Sequence, residues 1–409
     1  MKIISIHDQI PHTQHGGGGI TAYSTIEGFL KTGHSVTVLV LKGRKQDNLN
    51  HQSALETLGA TIHFMQLPEE KNLNIFYKVF KTFYPSFENL FPNIKHVKAV
   101  HAVVDQFSPD TIFVYHWEAL ASIYGIKGYL KIATVGDPVH LPSLFRRSLY
   151  SRLDHEMTYT KKLLYLFLDK FAVKRQLSGM VRLLNDCEIS GAFAAHHAKE
   201  LESLGVKKCH YFHTPVPDVD RSQYCSKEKF KIVLMGVLIG VASLSGIELF
   251  IDDIYPQLCQ ELGENNFEVH VVGGYFETMP QYLQNSMTKH NIIIRGQVNP
   301  ADCEFISADI LLVPTPIDLG IRVRIITAFS FGSLVVAHSA NQKGIPELIH
   351  EYNGLIGSTG KEIASQIIRV YNQEVNIDLI KTNSRKTYEE QFTSKFFAGQ
   401  IEKAVRELS

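Results

Sequence analysis

No stretch of 18 apolar residues occurs in this chain, so no segment reads as a membrane-spanning helix. Neither charge is in surplus. Lys+Arg and Asp+Glu stand at 41 each, which removes a global electrostatic case for nucleic acid as partner. Cysteine is sparse. The five, Cys187, Cys209, Cys225, Cys259 and Cys303, are odd in number, scattered, and form no C-x-x-C. That argues against a disulfide framework or a zinc site and suits a reducing cytosol. No histidine cluster appears at ligand spacing, and no metal is implied. Residues 2–7, Lys-Ile-Ile-Ser-Ile-His, read as a strand and not as a signal peptide.

What remains is an ordinary composition over 409 residues, enough for two domains with full cores. Apolar runs alternate with helix-length segments. Lys2–His7, Ser35–Leu41, Thr61–Met65, Thr111–Tyr115, Lys131–Val135 and Asp186–Ser190 read as strands of a first sheet. Prolines and polar residues between about Tyr211 and Phe230 mark a linker. The alternation then restarts with Lys231–Leu238, a helix over Gly246–Leu262, and strands at Phe267–Val272, Asn291–Arg295, Ile310–Pro314 and Leu334–Ala337. The pattern is α/β, two parallel sheets with helices on both faces. It predicts an N-terminal domain over 1–215, a C-terminal domain over 216–385, and a cleft between them. Ligands of such sheets bind outside the carboxyl ends of the strands.

Several features fall at such ends. Gly320-Ile321-Arg322-Val323-Arg324 opens a helix after the run Ile310–Pro314. A helix N-terminus carries free N–H groups and partial positive charge, so two arginines there are unfavourable unless an anion sits nearby. Gly16-Gly17-Gly18-Gly19 precedes a helix over Ile20–Lys31, and glycines let a ligand approach the backbone closely. This is not a G-x-G-x-x-G fingerprint, and no acid follows the second strand at the spacing a dinucleotide needs. His116 and Asp137 also sit at strand ends. Two segments, 71–102 and 144–175, interleave aromatic residues with Lys and Arg. Such helices lie on an anionic membrane surface or pack a core with a solvated basic face, and both readings stand.

Taken in order, these motifs resemble the GT-B glycosyltransferases, and within them the large retaining group called family four. The resemblance rests on the glycine loop, Gly33-His34-Ser35-Val36, Pro109-Asp110-Thr111 leading to His116, and Pro215-Val216-Pro217-Asp218. Further on it rests on Val272-Gly273-Gly274, Ala308-Asp309-Ile310, Gly332 with Val335-Val336-Ala337, and Gly344-Ile345-Pro346-Glu347 with Asn353-Gly354. It implies two Rossmann-like domains facing across a cleft, with a final helix, 386–409, crossing back to the first domain. The implied activity is transfer of a sugar from a nucleotide-sugar donor to a hydroxyl of a glycan or lipid-linked glycan, with retention. Cell-surface polysaccharide or glycoconjugate synthesis follows, in the cytoplasm or at the inner face of the membrane, without a metal or other cofactor.

By the same resemblance, Gly17, Gly18, Gly19, Gly296, Gly320, Arg322, Arg324, Thr327, Gly344 and Glu347 would bind the donor. The helix opened at Gly344 would offer its N-terminus to the diphosphate, and Glu347 would contact the sugar or cap that helix. His116 would contact the transferred sugar and Asp137 would orient the acceptor hydroxyl. Two departures stand out. Thr327 occupies the place of a ribose-holding glutamate. The loop at 236–246, where the family carries a basic pair, has neither Arg nor Lys. A catalytically weakened homologue acting as a binding or partner subunit, and a nucleotide-sugar 2-epimerase, therefore stay open.

Overall fold

The computed structural model describes residues 1–14, 16–42, 49–67, 94–141, 144–145, 173–290 and 292–408. They form two units. The first comprises Met1–His12, Ala22–His213 and Phe397–Ser409, the second Thr13–Thr21 and Thr214–Phe396.

The first unit is built on seven parallel strands: β1 (Lys2–His7), β2 (Ser35–Val40), β3 (Thr61–Phe64), β4 (Thr111–Tyr115), β5 (Leu130–Val135), β6 (Ile189–Ala192) and β7 (His210–Tyr211). Their order is β3-β2-β1-β4-β5-β6-β7, so the winding reverses between β1 and β4. A parallel sheet with both faces covered needs unbroken apolar strands, and all five residues of β4 are buried. The expected sixth strand starts three residues late. Asp186 and Glu188 cannot enter the sheet, because they hold Lys131: Lys131 Nζ donates to Asp186 at 2.8 Å and its backbone N to Glu188 at 2.7 Å. β7 has two residues, too few to leave a periodic signal.

Phe397 closes one face of this core. It lies 6.1 Å from Phe29, 6.0 Å from Phe193 and 5.9 Å from Phe212, ring centre to ring centre. The segment 386–408, expected as one helix, is two. Ile377–Gln391 belongs to the second unit and the greater part of Ser394–Arg406 to the first, with Phe392-Thr393 between them.

The second unit has six parallel strands: β8 (Phe230–Met235), β9 (Phe267–Val272), β10 (Ile293–Gly296), β11 (Ile310–Val313), β12 (Val335–His338) and β13 (Leu355–Gly357). The order β10-β9-β8-β11-β12-β13 reverses between β8 and β11. The helix expected over Gly246–Leu262 begins at Val241 and contains one wide turn, Phe250–Ile254, before continuing as Tyr255–Leu262. Pro256, which has no N–H to return to the preceding turn, follows that irregularity.

The cysteines correct the sequence reading. Cys225 and Cys303 are joined in a disulfide, with Cα atoms 5.5 Å apart. The polar part of the linker, carrying Cys225, runs beside the short helix Asp302–Ser307, and a separation of 78 residues hides that proximity from any spacing rule. Cys187, Cys209 and Cys259 are free thiols.

Among the described residues no helix is long and apolar enough to cross a membrane. Of the two basic aromatic segments, residues 71–93 and 146–172 lie outside the described residues. The helix Ile94–Phe107 buries His96, Val100 and Val104, so that piece packs into the core.

Candidate functional site

In the second unit the carboxyl ends of β8 and β11 meet where the winding reverses. β8 runs into Gly236–Gly240 and then the helix Val241–Leu249; β11 runs into Pro314–Gly320 and then the helix Val323–Phe331. Gly320 has φ of +69°, a left-handed turn that glycine tolerates and that aims the helix back toward the strand ends. Arg322 is the residue preceding that helix, and no side chain caps its N-terminus.

Arg324, in the first turn, points inward rather than to solvent. Its Nη1 donates to the carbonyl of Met235 at the end of β8, and Nη2 donates to Thr315 Oγ1 at 3.4 Å. Thr315 in turn donates to the carbonyl of Ala242, at 3.2 Å, tying the arginine to the neighbouring helix. Burial, with the like charge of Arg322 second, lowers the guanidinium pKa to about 9. Gly236 makes room for it, because a Cβ there would lie 2.1 Å from Nη1. A small opening, with about 20 Å³ of room for a water-sized group, adjoins this guanidinium.

The other expected donor residues distribute unevenly. Gly17 lies against Val323: a Cβ on it would be 2.6 Å from Cγ2. The helix begins at Gly17, not at Ile20, so Gly17, Gly18 and Gly19 form its first turn instead of a preceding loop. Only Gly16 has a positive φ there, at +76°. Gly296 ends β10, and its carbonyl accepts from Gly273 N at 2.8 Å. Thr327 turns its hydroxyl back to the carbonyl of Val323, at 3.2 Å, the usual habit of a mid-helix threonine.

Gly344 overturns an expectation. It ends the short helix Asn341–Gly344 and does not open one. Pro346 disfavours the helical region for the residue before it, and Ile345 sits at φ −128°, ψ 81°. Glu347 therefore has no helix of its own to cap. Its carbonyl accepts from Asn353 Nδ2 at 2.8 Å. Lys343 is paired with Asp318 at 2.7 Å.

In the first unit His116 and Asp137 follow β4 and β5. His116 takes φ of +71°, uncommon for a residue with a side chain, and forms the start of the helix Trp117–Ser122. Gly136 packs on its ring, a Cβ there lying 3.0 Å from Cε1. The carbonyl of Asp137 accepts from Trp117 Nε1 at 2.8 Å, and its Oδ1 is 4.0 Å from Nδ1 of the buried His197. Trp117 thus locks the two strand ends together.

Sequence reasoning missed His7, at the end of β1. Its Nε2 is 2.7 Å from Ser5 Oγ. Burial is the main cause that lowers the pKa of His7 to about 3 and that of His116 to about 4; Asp8 opposes both shifts. Both rings are therefore neutral when folded, while an unfolded histidine protonates below about 6.5. The unfolded chain binds more protons between those values. Stability is full above pH 6.5 and is lost as pH falls toward 4, by on the order of a few kcal/mol for the pair. Urea midpoints at pH 7 and pH 5 measure this. His7→Asn is expected to flatten the slope, and an unchanged slope would refute the assignment.

The run Asp218-Val219-Asp220 carries two carboxylates at close spacing, but they are turned to other work. Asp218 pairs with Arg385 at 2.7 Å, and Asp220 accepts from the backbone N of Ser222 at 2.8 Å. Among the described residues no three His, Cys, Asp or Glu side chains gather closely enough to hold a metal ion.

Residues 229–373 match the family described as Glycosyl transferases group 1. The chain is similar in fold to sucrose-phosphate synthase from Thermosynechococcus elongatus, at 15% identity and a TM-score of 0.68 over 100% of this chain and 99% of that one. HepE of Anabaena, solved with UDP-glucose, aligns at 13% identity and a TM-score of 0.67 over the whole of both chains. TarM of S. aureus, solved with UDP, fondaparinux and α-GlcNAc-glycerol, aligns at 9% identity and a TM-score of 0.66 over 99% of each. No curated protein matches the chain significantly in sequence.

Proposed function

We propose that this chain, a GT-B protein of the glycosyl transferases group 1 type, moves a sugar from a nucleotide-sugar donor to a hydroxyl of a glycan or lipid-linked glycan, with retention. The observation that carries the reading is Arg322 at the uncapped N-terminus of Val323–Phe331, inside the matched segment and where the strand order reverses. A cation and a helix N-terminus together favour a doubly charged anion, and a departing diphosphate is one. In this reading Gly17, Gly18, Gly19, Gly296, Gly320, Arg324, Thr327, Gly344 and Glu347 surround the donor. His116 touches the transferred sugar, and Asp137 orients the acceptor hydroxyl. No metal is required, because fixed cations and backbone N–H groups take up the developing charge. Work at the inner face of a membrane, on cell-surface polysaccharide, belongs to the same proposal.

HepE was solved with UDP-glucose, so uridine-linked sugars are the first donors to try. Hydrolysis or transfer of a panel of nucleotide sugars is the test. Arg322→Ala is expected to lower kcat/KM about 10- to 100-fold, the loss of one charge-assisted contact or two. No turnover with any donor, together with unchanged nucleotide binding in the variant, would overturn the reading. A second reading has its own support: Thr327 spends its hydroxyl on Val323, and the 236–246 loop carries no cation. A binding or partner subunit would bind nucleotide without turning it over.

A further inference from the structure

We infer that the Cys225–Cys303 bond is a reversible redox site, opened in the folded chain by exchange with a dithiol protein, and that the helix Asp302–Ser307 conveys its state to the helix Val323–Phe331. The second half rests on the donor reading above, because Arg322 stands at the start of that helix. The first half is independent of it.

The bond faces water. Cys303 is exposed on Asp302–Ser307, and Cys225 is half-buried in the stretch 221–229, whose other members are exposed. Exposed disulfides are the labile ones, whereas a bond that only staples a core sits inside it. The free thiols are poor internal rivals. Desolvation pushes Cys187 and Cys209 up to about 12 and raises Cys259 as well, so little thiolate forms on them at neutral pH. The attacking thiolate therefore comes from outside. It bonds to Cys303 Sγ, the Sγ–Sγ bond breaks, and Cys225 leaves as a thiolate that takes a proton from water. The second thiolate of the reductant then attacks its own partner sulfur in the mixed disulfide, and Cys303 leaves and is protonated. Two electrons pass to the cysteine pair, the dithiol becomes a disulfide, and the two protons it gave to water are recovered by the cysteines.

The residues after Cys303 give the bond its reach. Glu304 turns inward, 3% exposed, and its carboxylate gathers Lys231 of β8 at 2.8 Å, Arg295 of β10 at 3.1 Å and His270 of β9 at 3.5 Å. Lys231 Nζ also donates to Ser307 Oγ at 2.8 Å, and Ser307 donates to the carbonyl of Cys303 at 2.5 Å. Phe305 stacks face to face on Phe331, with ring centres 4.9 Å apart and planes within 4°. Its carbonyl accepts from Ser333 Oγ at 3.0 Å. Phe331 is the last residue of the helix that follows Arg322. A helix of six residues does not hold its shape alone. This one is clamped from outside by sulfur and from inside by Glu304 and Phe305. Opening the bond removes the outer clamp, and the Phe305–Phe331 stack passes the slack to the helix Val323–Phe331.

The experiment titrates the full chain, without denaturant, against thioredoxin at set ratios of its reduced and oxidised forms, and maps the thiols that appear. Half-opening is expected within about 100-fold of equal reduced and oxidised thioredoxin, with Cys225 and Cys303 as the labelled pair. UDP affinity, by calorimetry, is expected to fall about fivefold or more on opening and to return on reoxidation. By linkage, UDP then raises the reduced-to-oxidised ratio needed for opening by the same factor, which a merely structural bond would not show. Cys225→Ser is expected to hold the weaker affinity at every ratio. Phe305→Leu is expected to open at the same ratio, with UDP affinity no longer following. Should either variant fail to fold, the linkage in the unaltered chain decides. A bond still closed under about 1,000-fold excess of reduced thioredoxin overturns the inference, and so does a UDP affinity indifferent to an opened bond. A chain that binds no UDP in either state sinks the donor reading instead. Hydrogen exchange over 323–331 then decides: faster exchange on opening upholds the relay, and unchanged exchange overturns it.

Discussion

Gly273→Ala is expected to cost this protein about 3 kcal/mol or more of stability, among the largest losses available to a single methyl group. The residue follows β9 at φ +158°, and a Cβ built on it would lie 1.8 Å from the carbonyl oxygen of Gly236. That oxygen belongs to backbone, which cannot swing aside as a long side chain could. Gly236 N is held by the Val272 carbonyl at 2.9 Å, and Gly273 N by the Gly296 carbonyl at 2.8 Å, so neither strand end can give without breaking its ladder. The methyl therefore forces apart β8 and β9 where the first carries the Arg324 contact. Urea unfolding measures the loss, with Gly399→Ala as the comparison. Gly399 sits in the helix Ser394–Arg406 with open space around its Cβ position, and alanine there is expected to be neutral or to gain roughly 0.5–1 kcal/mol. Equal midpoints for Gly273→Ala and the parent would show that the two strand ends are not packed as described.

The second large effect is expected from Cys303→Ser. The bond to Cys225 closes a loop spanning 78 residues that holds β8, β9 and β10. Cross-links of that span typically add about 2–4 kcal/mol, chiefly by restricting the unfolded chain. The parent is expected to melt several degrees lower in reductant, and Cys303→Ser to melt at the lower value with or without it. A parent indifferent to reductant would refute the claim. Electrostatic ties flank the bond on both sides, Asp218 with Arg385 before it and Lys227 with Asp309 after it. Loss of the sulfur link should therefore loosen the segment 219–226 before it disturbs the sheet.

The architecture was legible because parallel strands buried on both faces announce themselves as apolar runs. β1, β4 and β9 fall where those runs predict them. The misreadings have local causes. Pro346 turned an expected helix start at Gly344 into a helix end. Asp186 and Glu188 read as strand because Lys131, whose ammonium holds the first and whose backbone N–H holds the second, is 55 and 57 residues away. The disulfide was invisible for the same reason. Within the candidate site, the helix start at 322–324 marks the arginines in sequence, yet nothing in sequence marks Arg324 as facing inward. That orientation depends on a gap at Gly236 and a hydroxyl at Thr315, on two other elements. His7 left no signal beyond lying at a strand end, since its burial is set by packing and not by its neighbours in sequence.

Phe397 carries a consequence for how the chain is made. The first unit takes its residues from both ends of the sequence, with the chain leaving it after His213 and returning at Phe397. Synthesis runs from the amino end. The rings of Phe29, Phe113, Phe193 and Phe212 are all translated before the ring that covers them. The nascent first unit must therefore wait, with an aromatic face open to chaperones or to self-association, while residues 214–396 are translated. Cutting the chain at its linker would make that wait permanent.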